Sequence, residues 1–567
     1  MLLYNYENLK KAIETENGKK LVAEVEKVYN ELFKDKEIPT TNYAYQKLIY
    51  QTGNRDLYQY IYYLRRKRFS TLQILALADD KYLEELENIM AVIIEEYTWV
   101  LPAHCVIKEK EMFDYTVIDL FSAETGYYLA ETLYVFGDKL SKDMQYRIRT
   151  ELKKRIIDNY ENRDQLWYSL HNNWAAVCAG SVGITYMYAF PERFDSVKDR
   201  IFASMQCYLD GTNEEGTTPE GVGYWVYGFG FFVQFFDMYN QFTGEYPDIL
   251  KTNKVVNTIK YIDNACLGGR SYLPFADGGA RRTFIHPPVA YAAKRLFGDG
   301  YVLPEYKIDK EFAMELSANT GKASSFRAIY GIDKFGLGEK KEDKDKTIYY
   351  EQSQIFIHKN AKYGFAAKCG CNLEMHNHND VGSFQIVVDG KGVIVDPGPG
   401  KYNLQYFNDS KYRYSEEVFA AGSMGHSVPI VNGKYQDEGR NARGKVLEHT
   451  ETNFKFDFAE AYGNIDSLIV DYQMREDGVT VKYDCSGVTD NIVFRFLSFN
   501  EPKVDGNGIV DMGVKLKSKS ALQPDVKMIK YGGHVNIVGA LNQETIYAID
   551  YKISGKASVQ EEFEFTV

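Results

Sequence analysis

Three histidines and two aspartates in the second half of the chain have the types and spacing of a metal-ligand set. They are His376-Asn377-His378-Asn379-Asp380, then Asp396, then His426 in Gly425-His426-Ser427-Val428-Pro429. Neutral imidazole nitrogens with one carboxylate form a common three-ligand set for zinc or a similar divalent ion, leaving a fourth position open. Read as a period-2 strand, the first segment puts His376 and His378 on one side, and a single hairpin brings Asp396 back toward them. The bland alternative is a satisfied polar pair on a strand. With only 9 histidines in the chain, three in this arrangement favour the metal.

Two segments of the first half also look chemical. His171-Asn172-Asn173-Trp174 places three polar side chains before an apolar run where a helix cap needs one. Pro219-Glu220-Gly221-Val222-Gly223-Tyr224 leads a glycine-flexed loop into an aromatic stretch, with Tyr224 at its entrance. Glu220 and Asp277, the latter in Phe275-Ala276-Asp277-Gly278, are the carboxylates a glycoside hydrolase would pair.

The elements that must carry these residues change character along the chain. Up to about residue 310 apolar residues recur at spacings of three to four, as in Leu83, Leu86, Met90, Ile93 and Ile94, which predicts a helical array. Residues 225–242 are aromatic nearly all round, as in an inner helix buried on every side. From about residue 347 the pattern is short, β-branched and alternating, as in Ile355-Phe356-Ile357 and Phe384-Gln385-Ile386-Val387-Val388, with Asp389-Gly390-Lys391-Gly392 as a turn. This predicts a helical domain over 1–335, a charged linker over 336–346 and antiparallel sheets over 347–567.

Composition narrows the function. A chain of 567 residues exceeds one hydrophobic core, and 45% hydrophobic with 26% charged residues is the balance of an ordinary globular protein. A net charge of −12 disfavours a general nucleic-acid binder. Arg65-Arg66-Lys67-Arg68 and Arg281-Arg282 read as solvated basic faces. The 7 scattered cysteines are too few for a disulfide framework and read as reduced thiols. No apolar run is long enough to span a membrane and no secretory leader opens the chain, so the expected compartment is the cytoplasm, or an extracytoplasmic one if a leader has been removed. All 4 tryptophans fall in the helical half and the chain has 46 tyrosines; an aromatic-lined cleft there would suit sugar rings, although most of these rings must be core.

Taken in order, Asn172-Asn173-Trp174, Pro219-Glu220-Gly221-x-Gly223-Tyr224-Trp225-x-Tyr227-Gly228, His376-Asn377-His378-Asn379-Asp380 with Asp396, and Gly425-His426 resemble the heparinase II/III-like polysaccharide lyases. The resemblance implies an α+β multidomain chain: an incomplete (α/α) toroid followed by an antiparallel β-sandwich, with a cleft at the junction. It implies β-elimination on an acidic oligosaccharide or polysaccharide of glycosaminoglycan or alginate type, giving a 4,5-unsaturated uronate. Asn173 matches the position that holds the substrate carboxylate, and Tyr224 and His376 match those that move protons, Tyr224 either alone or sharing the work with His376. His378, Asp396 and His426 would bind one metal, zinc by preference and mainly structural. His171, Trp99, His104, Trp174, Glu220 and Tyr227 are further catalytic or substrate-binding candidates. Some members carry a histidine directly after the asparagine where this chain has Trp174, so His171 either compensates or caps a helix. The alternatives are a toroid hydrolase using Glu220 and Asp277, or a polysaccharide-binding protein without catalysis. A homodimer is compatible with all three.

Overall fold

The computed structural model describes residues 2–109, 112–278, 283–317, 325–339, 345–535 and 541–567. An N-terminal helical toroid is followed by a C-terminal assembly of antiparallel sheets. Helices Leu120–Phe136, Asn173–Ala189, Gly230–Thr243, Pro287–Phe297 and Ser325–Phe335 pack each on the next, and Ser325–Phe335 returns to Tyr6–Glu14 and Asp56–Ala78. Asn173–Ala189 is buried along almost its whole length, which its run of Ala, Gly, Val and Cys permits by letting neighbours approach closely. The expected aromatic inner helix is present and buried. Its first turn, Trp225–Phe229, is π-helical, a local widening that recurs at functional sites.

Inside this half, the Asp237 carboxylate receives Tyr4 Oη at 2.7 Å and also bonds Arg295 and Arg327. Asp237 and Arg327 are both fully buried, so a single carboxylate ties the N-terminal segment to three inner helices. The basic run Arg65-Arg66-Lys67-Arg68 departs from expectation, because all four residues are buried rather than solvated. Arg65 and Arg66 converge on Glu96 at 2.9 and 2.7 Å, and Arg68 meets Glu85 at 2.5 Å, so helix Asp56–Ala78 can turn this face inward only because carboxylates await it. Arg281 and Arg282 lie outside the described residues.

In the second half, Lys346–Tyr350, Ile355–Lys359, Tyr363–Lys368, Phe384–Val388 and Lys391–Ile394 form one antiparallel meander. Its two faces serve different cores. Ile355, Ile357, Ala366 and Val387 join the helical core, while Phe356, Phe365, Phe384 and Ile386 pack against the eight-stranded sheet behind. Strand Ser467–Arg475 of that larger sheet alternates buried and half-exposed residues along its length. The meander is therefore clamped on both sides, which holds its loops in register with the toroid. The expected turn is present, with Asp389 and Gly390 at φ 49° and 70°. The linker begins after Phe335; Leu337 accepts from Tyr306 N at 2.7 Å, and residues 340–344 lie outside the described set.

Removing the Asp237 carboxylate strands the fully buried Arg327 guanidinium and takes one partner from the half-buried Arg295. Asp237→Ala should cost about 3–5 kcal/mol, read as a lowered melting transition in calorimetry.

Candidate active site

The site forms where the toroid meets the meander. On the toroid side, Asn173 opens the buried helix Asn173–Ala189, and the Asn172 side chain caps it by accepting from Trp174 N at 3.1 Å. Glu220 receives Asn173 Nδ2 at 2.9 Å and its backbone N–H at 3.2 Å, so Glu220 braces this asparagine. Asn173 Oδ1 is buried and has no hydrogen-bond partner among the described residues. Gly221 follows at φ 92°, where a Cβ would lie 2.6 Å from the Phe275 carbonyl oxygen. Only glycine lets the Tyr224 turn lie directly on the loop that carries Asp277.

From the sheet side comes the segment 373–383. It is a loop, not the period-2 strand expected from its sequence, and His376 sits in the left-handed region at φ 55°. That turn breaks the alternation, and both imidazoles reach one carboxylate. Asp277 Oδ2 lies 2.5 Å from His376 Nδ1, and Oδ1 lies 3.1 Å from His378 Nε2. Tyr402 donates to the same carboxylate, and its hydroxyl is 3.3 Å from that of Tyr224. Tyr224 stacks on the His376 ring with centroids 4.1 Å apart. His376 Nε2 is 3.4 Å from Glu220 Oε1.

These contacts set the charges. Burial opposes ionisation of Asp277, but hydrogen bonds from His376 and His378 outweigh it and hold the carboxyl well below the usual carboxylate range. Burial likewise opposes the His376 cation, yet the bonds to Asp277 and Glu220 push its pKa up to about 9. Burial, then the Asp277 charge, raise the Tyr224 phenol above its ordinary value, so it is a protonated donor at neutral pH.

Behind this cluster His378, Asp396 and His426 are buried, with one ligand atom from each within 4.8 Å of the others. Asp396 Oδ2 meets His426 Nδ1 at 2.8 Å. His378 Nδ1 and His426 Nε2 are buried nitrogens with no partner among the described residues. Two orphaned ring nitrogens beside a carboxylate are what a divalent ion would satisfy, so the group fits a metal. Asp277 would then fix the tautomer of a ligand from outside the coordination sphere.

The other sequence candidates scatter. His104 and Trp174 face each other with ring centroids 4.9 Å apart beside Asn173, and His104 Nδ1 is held by Asp119 at 2.9 Å. Tyr227 is half-buried and donates to Glu124 at 2.5 Å, where burial, only partly offset by this bond, pushes the carboxyl up to about 8. His171 is exposed, with no hydrogen bond from its ring to the cluster among the described residues. Trp99 is a core residue at 1% exposure, its indole N–H bonded to the Ile93 carbonyl and its face covered by Arg155, so it lines no cleft. Two residues escaped sequence reasoning. Tyr402 lies in Pro397-Gly398-Pro399-Gly400-Lys401-Tyr402, a loop signal next to a ligand candidate; Arg55 carried no signal at all.

By sequence, no family model and no curated protein matches this chain. By structure it is similar to a crystal structure of heparinase III, at a TM-score of 0.58 and 14% identity over 89% of this chain and 76% of that one. The heparan sulfate lyase HepC from Pedobacter heparinus aligns at a TM-score of 0.53 and 12% identity over 99% and 90%. The chondroitin AC lyase of Streptomyces coelicolor A3, in complex with chondroitin sulphate, aligns at 0.54 and 10% over 99% and 82%. The chain has the heparinase-like polysaccharide-lyase fold.

The orphaned nitrogens give a direct test. Elemental analysis of the purified protein should find about one divalent ion per chain, and His378→Ala or His426→Ala should lose it together with several degrees of melting temperature. Equal metal content in wild type and both variants would rule this site out.

Proposed function

We propose that the protein is a lyase that cleaves uronic-acid-containing glycans by β-elimination. The observation that carries this is the convergence, from both halves of the chain, of Asn173, Tyr224 and His376 on one cleft floored by Glu220 and Asp277.

A uronate C5–H is acidic only when its carboxylate is neutralised or hydrogen-bonded, because removing the proton places charge on that group. Asn173 supplies this contact through its second Nδ2–H, the first being held by Glu220. His376 takes the C5 proton through Nε2, with Nδ1–H donated to Asp277. The C4–O bond then breaks, the C4=C5 double bond forms, and the Tyr224 phenol gives its proton to the leaving oxygen. When bound, the metal, zinc in this reading, supplies order to the loop bearing His376.

A hydrolase is disfavoured because its two candidate carboxylates are occupied: Glu220 holds Asn173, and Asp277 holds His376, His378 and Tyr402. Neither is free to activate a water.

Ultraviolet absorbance should rise as the protein acts on one of heparosan, chondroitin or alginate oligosaccharides. Asn173→Ala should slow it about 10²–10³-fold and Tyr224→Phe about 10²–10⁴-fold. A substrate with a 4-nitrophenolate leaving group, which needs no acid, should restore Tyr224→Phe but not His376→Gln. New reducing ends without the absorbance would refute the lyase. Because the base form of His376 grows as pH approaches about 9, kcat/KM should climb between pH 7 and 9.

A further inference from the structure

We propose that Arg55 is a specificity residue that binds an anionic group of the substrate, a carboxylate or sulfate, at the rim of the Tyr224 cleft; this rests on the lyase reading above.

The segment 53–56 lies against the loop 401–404. A Cβ on Gly53 would stand 2.9 Å from the Leu404 Cβ, and Asp56 pairs with Lys401 at 2.7 Å. Arg55 and Tyr402 lie between these two contacts, and the Tyr402 hydroxyl is the one that reaches Tyr224 and Asp277. The Arg55 guanidinium is thereby brought to the catalytic tyrosine.

Its immediate partners are neutral, and the nearby Asp56 carboxylate is paired with Lys401 instead. Arg55 precedes helix Asp56–Ala78 but makes no side-chain capping bond. With the Gln59 amide turned so that its oxygen faces the guanidinium, it accepts from Arg55 Nε at 2.6 Å and from Nη2 at 2.8 Å. That partner is neutral. Among the described residues no carboxylate lies within ion-pair distance of Arg55, whereas the buried arginines Arg65, Arg66, Arg327 and Arg495 each have one. Burial lowers the pKa of the guanidinium, and Tyr63, Tyr402, Tyr224 and the neighbouring Asp56 act against that shift. Arg55 is a half-buried cation held by one neutral amide through Nε and Nη2, which leaves its Nη1 edge to bind an anion.

Chemistry indicates what fills it. Asn173 is assigned to the carboxylate of the sugar that is cleaved, so Arg55 serves a second anionic group, on that sugar or on a neighbour. Phosphate-like recognition by lysine would tolerate any geometry, but a guanidinium favours a two-oxygen anion.

The test separates this inference from the lyase reading. In a Tyr224→Phe background, in which turnover is slow on the time of a titration, calorimetry would use tetrasaccharides of heparosan, heparan sulfate and alginate, each also in carboxyl-reduced form. Arg55→Gln should weaken the best-bound acidic tetrasaccharide about ten-fold or more, with Arg55→Lys intermediate, and leave unchanged the binding of carboxyl-reduced heparosan and alginate, which carry no anion. Loss confined to sulfated probes would identify sulfate as the partner; loss on unsulfated ones, the carboxylate. Equal weakening of every probe, carboxyl-reduced heparosan and alginate included, would mean that Arg55 only steadies the junction, and no weakening would likewise overturn the proposal. A parent that binds none of the probes would refute the lyase reading itself, and this inference with it.

Discussion

The site depends on one carboxylate. Asp277 belongs to the toroid, and the three groups bonded to it, His376, His378 and Tyr402, all belong to the sheet half. It is 6% exposed, so an unpaired charge there would be severely penalised, and it is tolerable only because three donors surround it. The same bonds do two tasks. Oδ2 orients the imidazole proposed as the base, while Oδ1 orients an imidazole of the metal group. A change felt at the metal group therefore reaches the base through one rigid three-atom bridge.

Such a bridge requires backbone that an ordinary loop would avoid. Ala276, next to Asp277, and His376 are both non-glycine residues in the left-handed region, at φ 57° and 55°. Conformations of this kind persist where surrounding packing over-determines them. Here the meander is held on one face by the helical core and on the other by the larger sheet, so its loop has no slack with which to relax. The Gly221 turn presses on the same segment from the toroid side. The strain thus sits between two well-packed bodies, at the contact where their side chains meet.

Much of this was legible in sequence, for reasons that can be stated. The change from spacing of three and four to alternation reports burial of one helix stripe or one sheet face, so Leu86, Met90 and Ile93 and the phenylalanines of Phe356 and Phe384 announced their elements. The Asp389-Gly390 turn followed from residues that accept positive φ. What stayed hidden was long-range or conformational. The His376–Asp277 bond joins residues 99 apart, and no periodicity encodes it; Asp277 therefore looked like a hydrolase acid. The left-handed His376 turned an expected strand into a loop. Arg65, Arg66 and Arg68 looked solvated because their partners, Glu96 and Glu85, lie on the following segment and helix. Trp99 looked like a cleft residue because burial depth cannot be read from type alone.

An acidic chain proposed to act on an acidic glycan must solve an electrostatic problem. With a net charge of −12, long-range attraction does not bring an anionic sugar to the cleft, and the cleft floor itself contains Glu220 and Asp277. The structure answers locally. Glu220 is occupied by the Asn173 donors, Asp277 by two imidazoles and a phenol, and Asp396 by His426. Each carboxylate is used to aim a donor, so its charge faces protein and not substrate. What remains is the opposite sign, the raised proton affinity of His376 and the guanidinium of Arg55, which is bonded to the neutral Gln59 amide. Short-range complementarity of this kind acts after encounter and is little screened where water is excluded. It allows selection of an acidic ligand without a basic surface.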